Sequence, residues 1–132
     1  MKPSAQQNCL QRFLKLQPMT GWPIWPAQYN PTGKYSLREH THHDASRWYL
    51  HGIRGREHVW KRLGELEAHE SLCIIQDHLL WYLAERKGTQ VMGWQGSWNV
   101  VTEDDIGAGD TLIEALLDVA EQIQKETSND TL

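Results

Sequence analysis

Five of the seven histidines fall between positions 40 and 58, at His40, His42, His43, His51 and His58, with Glu39 and Asp44 beside them. Imidazole nitrogens and a carboxylate are the donor set of a mononuclear zinc or another divalent transition metal. In an extended segment alternate residues project to one side, which would bring His40 and His42 together. A site on His40, His42, His43 and Asp44 would suit a metal-dependent hydrolase or nuclease. The spacing follows no established ligand signature such as HExxH. Surface histidines, a patch that gains charge near about pH 6, and histidines packed beside tryptophans therefore compete with the metal reading.

Other chemistry is less well supplied. Ser46 beside His43 and Asp44 has the residue types of a catalytic triad, but sequence neighbours rarely attain triad geometry and no GxSxG elbow is present. The two cysteines, Cys9 and Cys73, exclude a disulfide framework and a four-cysteine zinc site by number alone, and apolar neighbours predict buried, reduced thiols. Gly107 and Gly109 make no phosphate loop, because Glu103, Asp104, Asp105 and Asp110 flank them and would repel an anion.

Charge is divided along the chain. The 132 residues carry a net −4, yet positions 34–62 hold seven basic groups against three acidic ones, whereas positions 103–132 hold nine carboxylates against Lys125. The basic stretch could lie along nucleic acid, with Arg47, Arg54, Arg56, Lys61 and Arg62 on phosphates and Trp48 or Tyr49 as a stacking face. The acidic end could instead dock on a basic protein, including one that itself binds nucleic acid, with exposed aromatic residues as anchors. Seven tryptophans against one phenylalanine are more indole than a small core requires. Trp22, Trp25 and Tyr29 lie in a Pro-rich stretch, positions 18–33, that reads as one long loop. With Asp104 and Asp105 they form the expected binding set.

The elements that position these groups follow from spacing. Ser4 and Gln7 have the types of a capping box for a helix from about Ala5 to Leu16. Asp44 is a candidate cap for a short helix carrying Trp48, Tyr49 and Leu50 and ending at Gly52, and Val59, Trp60, Leu63 and Leu66 recur at helical spacing from Arg56. Leu72, Ile75, Leu79, Tyr82 and Leu83 share one face of a helix from Glu70 to Lys87. Residues 89–94 and 97–102 are β-rich and separated by Gln95-Gly96, which predicts a hairpin over 89–102. Positions 103–110 read as an acidic turn. Thr111 and Glu114 make a second capping box, and Leu112, Leu116, Val119 and Ile123 line a helix to about Lys125, followed by a flexible tail at 127–132. A two-stranded hairpin alone is marginal, so a third strand is expected from Lys34–Leu37 or from a second subunit, as in a homodimer.

The order Gly93-Trp94-Gln95-Gly96-Ser97-Trp98-Asn99-Val100, an acidic glycine turn, then Thr111-Leu112-Ile113-Glu114-Ala115-Leu116-Leu117 resembles the ending of many small accessory proteins of bacteriophages and prophages. That resemblance covers the last third of the chain and implies a protein that binds and inhibits a host protein. It assigns no residue a role. The combined expectation is a helix-rich α+β single domain, residues 1–132, with a short antiparallel sheet covered by amphipathic helices. It would be a cytoplasmic protein-binding modulator without cofactor or membrane segment, with a metal hydrolase and a nucleic-acid binder as alternatives.

Overall fold

A computed structural model describes residues 2–16, 36–42, 45–54, 56–62 and 68–130. The fold class is α+β. Among the described residues there are three helices, α1 (Pro3–Leu14), α2 (Ala68–Ala84) and α3 (Leu112–Asp130). Six strands accompany them: β1 (Ser36–His42), β2 (Ala45–Arg54), β3 (Glu57–Arg62), β4 (Gln90–Trp94), β5 (Ser97–Val101) and β6 (Ile106–Gly109). The strands form two antiparallel sheets, β1-β2-β3 and β4-β5-β6. Contacts divide the chain into two compact units, Met1–His78 and Leu79–Leu132, with α2 continuing from the first into the second. No helix among the described residues is long and apolar enough to cross a membrane.

In the first unit, α1 starts with Pro3 in its first turn, where a missing N–H costs nothing, and its N-cap is Lys2 without a side-chain cap. The expected Ser4 cap is therefore inside the helix. Cys9, Leu10 and Phe13 are buried on one face. On α2 the predicted face holds: Leu72, Ile75, Leu79, Tyr82 and Leu83 are all buried. Cys73 does not join them. It is exposed, one turn along from exposed His69 on the opposite stripe, so only Cys9 is a buried thiol.

The region expected to hold two short helices, around Trp48 and from Arg56, is instead the β1-β2-β3 sheet. Gly52 and Gly55 weaken a helix there, and ladder pairing outweighs the local helical spacing: β2 pairs along its length, with Gly52 opposite Val59 and Arg54 opposite Glu57.

In the second unit the hairpin is as predicted. Gln95 and Gly96 have φ of 46° and 78°, the two positive values a type I′ turn requires, and β4 pairs with β5 from Gln90–Val101 to Trp94–Ser97. The third strand is β6, drawn from the segment read as an acidic turn, rather than Lys34–Leu37 or another subunit. β6 pairs with β5 from Trp98–Gly109 to Val101–Ile106. Thr111 caps α3, accepting from the Glu114 N–H at 3.4 Å and donating to the Glu114 carboxylate at 2.7 Å. The helix then runs past Lys125 to Asp130, because no glycine or proline stops it. The expected tail thus begins as helix. Ile113, Leu116, Leu117, Val119, Ala120 and Ile123 are buried along it.

Candidate protein-binding surface

Strand alternation sorts the β4-β5-β6 sheet into two faces. On one, Val91, Val100 and Gly107 lie in a row, and Gly93, Trp98 and Gly109 in the next. This is the face under α3. A Cβ on Gly107 would collide with the Ala115 carbonyl and the Val119 side chain, and one on Gly109 with Glu114. The helix approaches so closely that β6 must be glycine at both positions, and Val100 is fully buried beneath it. The indole of Trp98 lies across Gly93, filling the space a side chain would take.

The other face carries Gln90, Val101 and Ile106 in one row, Met92, Asn99 and Ala108 in the next, and Trp94 beside Ser97 at the turn. None of these eight residues is charged. Trp94 is 76% exposed, Ile106 66% and Met92 50%. Every residue of β4 is exposed. The two edges of the sheet differ as well. At β6 the Ala108 N–H donates to Asp118 at 3.0 Å and the Gln122 amide donates to the Ile106 carbonyl at 2.7 Å, so α3 occupies that edge. At β4 no strand among the described residues pairs with the outer edge, and the strand has no charged residue or proline to discourage pairing. The hairpin register directs the backbone groups of Val91 and Gly93 outward there.

Exposed carboxylates stand at both ends of this neutral face. Positions 79–132 hold ten of them against Arg86, Lys87 and Lys125. Glu103 and Asp104 are exposed at one end of the strands and Asp110 at the other. A cavity of about 280 Å³ is lined by Arg86, Lys87, Thr102, Glu103 and Asp104. Arg86 is held over the Tyr82 ring, 6.0 Å from its centre, and donates to the Tyr82 hydroxyl at 3.3 Å. Thr89 donates to the carbonyls of Leu83 and Arg86, at 2.6 and 2.8 Å, and so closes the end of α2.

The residues singled out from sequence fare unequally. Asp104 is exposed. Asp105 is only 3% exposed and so is not an exposed partner to Asp104. Its N–H donates to the Thr102 hydroxyl at 3.0 Å, that hydroxyl donates to its Oδ2 at 3.3 Å, and its carbonyl accepts from the Thr102 N–H at 2.9 Å, which folds the carboxylate inward. Trp22, Trp25, Tyr29, His43 and Asp44 lie outside the described residues. The backbone register sets His40 opposite Arg47 and His42 opposite Ala45 on β1 and β2, and aligns Arg38, Tyr49 and Arg62 in one cross-strand row. Arg54, Lys61 and Arg62 lie on the β2-β3 hairpin, with Arg56 exposed in its turn. Among the described residues no group of three or more histidine, cysteine or acidic side chains is placed to hold a metal.

Sequence reasoning missed Met92, Trp94 and Ile106 as surface residues. The signal was present in the alternation of β4 and β5, which separates Trp94 from Trp98, but the outer face could be identified only once β6 was known to be a strand. Compared with protein-family models, with curated proteins and with solved structures, the chain matches none.

Proposed function

We propose that this is a small protein-binding modulator that captures an extended, basic segment of a partner protein on the β4 edge and the outer face of the β4-β5-β6 sheet. The observation that carries this reading is the uncharged outer face with Trp94, Met92 and Ile106 exposed. An uncharged patch of this kind with carboxylates at both ends of its strands is what an interface centre looks like before its partner arrives. Backbone groups of Val91 and Gly93 can extend the ladder to an added strand, while Trp94 and Met92 offer anchors. The surplus of carboxylates in the same unit selects a cationic partner and repels a second copy of this acidic unit.

The test is a capture from bacterial lysate by the full chain, repeated with Trp94→Ser and with Glu103→Gln/Asp104→Asn. Trp94→Ser should abolish retention of a basic protein while far-ultraviolet circular dichroism stays unchanged. The charge variant should slow association and flatten its salt dependence. Retention of the same protein in equal amount by Trp94→Ser would remove this face from the interaction. Concentration-dependent dimerisation lost in Trp94→Ser would replace the partner by a second copy.

A further inference from the structure

Arg86 and Lys87, two of the three cations in positions 79–132, stand side by side just before β4. With Thr102, Glu103 and Asp104 they line the cavity of about 280 Å³, at the end of the sheet where Gln90 pairs with Val101. The two lining segments are fastened to each other and to the fold. The Glu103 N–H donates to the Lys87 carbonyl at 3.2 Å, and the Thr89 hydroxyl holds the Arg86 carbonyl at 2.8 Å. The Thr102 N–H donates to the Asp105 carbonyl at 2.9 Å and closes the turn that carries Glu103 and Asp104. Arg86 is half-buried, and its contact with the Tyr82 hydroxyl engages one of the five guanidinium N–H donors. The cavity thus presents two cations and two carboxylates on a hydrogen-bonded backbone frame.

A ligand that satisfies both pairs carries an anion and a cation. We propose that this cavity is a site for a C-terminal lysine or arginine, with its α-carboxylate on Arg86 and Lys87 and its side-chain cation on Glu103 and Asp104. The volume lies just below the roughly 300 Å³ at which pockets for small molecules begin, which suits a single residue. Arginine receives a carboxylate through two parallel N–H donors, and capture of a terminal carboxylate is a recurring mode of peptide recognition. The proposal deepens the strand-capture reading and rests on it for the direction of the bound chain. A segment laid antiparallel on the β4 edge runs from the Trp94 end toward the Gln90 end, so its last residue arrives at Arg86 and Lys87. Laid parallel, it would bring an N-terminus there and would need an acidic side chain to meet the two cations, which the ten carboxylates of this unit disfavour.

The test is a heteronuclear NMR titration of the full chain with Nα-acetyl-L-lysine, which carries both charges, beside its amide, which lacks the carboxylate, and Nα-acetyl-L-norleucine, which lacks the ammonium. The first should saturate shifts at the amides of Arg86, Lys87, Glu103 and Asp104, and each of the others should bind roughly tenfold more weakly or worse. Arg86→Gln should remove the preference for the acid over the amide, and Glu103→Gln/Asp104→Asn the preference for lysine over norleucine, in spectra that also report an intact fold. The site is overturned if the amide or the norleucine derivative binds as well as acetyl-lysine, or if acetyl-lysine leaves these four amides unshifted. Equal shifts from sodium acetate at the same concentrations would mean an adventitious ion only, and overturn it too. A chain that retains a basic protein from lysate but does not bind acetyl-lysine loses this site and keeps strand capture, and the converse result loses strand capture and keeps the site.

Discussion

The imidazole of His78 meets the ring of Phe13 edge-on, with centroids 6.5 Å apart and planes at 82°. Both side chains are buried, Phe13 on α1 and His78 on α2. Burial pushes the His78 pKa down to about 3, so the ring packs as a neutral aromatic group.

This placement makes stability depend on pH with a definite sign. The unfolded chain takes a proton on His78 as pH falls through the ordinary histidine value of 6.5, while the folded chain does not until about 3. Stability from this group is therefore fully present above 6.5 and is lost progressively on acidification toward 3, by on the order of 4 kcal/mol. Urea unfolding at several pH values should show the decline, and His78→Leu should flatten it.

Two glycine substitutions should separate close packing from turn geometry. Gly107→Ala drives a methyl group into the Ala115 carbonyl and the Val119 side chain of α3, and should cost about 2 to 4 kcal/mol. Gly96→Ala meets no atom within 4 Å and costs only the positive φ of the hairpin turn, roughly 1 kcal/mol. Thermal or urea unfolding of both variants checks the order. Equal losses would mean that α3 does not lie over β6 as described.

The two thiols should differ in accessibility. Cys73 is exposed and Cys9 is buried. A chromogenic disulfide reagent should titrate one thiol rapidly in the native protein and the second only at the rate of unfolding or in denaturant. Cys73→Ser should abolish the fast phase and leave the slow one, whereas two fast thiols would place Cys9 at the surface.

Where local pattern and final structure agree, neighbours in sequence supply the stabilising contacts. The apolar stripe of α2, the Thr111–Glu114 cap and the Gln95-Gly96 hairpin turn are each complete within a few residues, so periodicity and turn chemistry were enough to locate them. The α+β class followed from these three. The same reasoning placed short helices around Trp48 and from Arg56, the latter because Val59, Trp60 and Leu63 recur at helical spacing, while the ladder that defines β2 and β3 comes from pairing across the chain. It read Ile106–Gly109 as a turn for a related reason. Glycine is a turn signal when only neighbours are considered, but Gly107 and Gly109 are there to admit α3, twelve or fewer residues later in sequence and directly overhead in space.

The candidate surface depended most on what the sequence could not state. That residues 93–100 form a tryptophan-flanked hairpin was legible, but which indole faces outward was not, since the outer face exists only after β6 pairs with β5 and α3 covers the opposite side. Likewise Asp104 and Asp105 are indistinguishable as types. Backbone and hydroxyl hydrogen bonds to Thr102 turn one inward and leave its neighbour in solvent. Composition and spacing determined the helices, the hairpin and the excess of negative charge, because those are properties of short segments. Which strand completed the sheet, which face stayed uncovered and which carboxylate turned inward were decided by the folded structure, because each depends on groups brought together from separate segments.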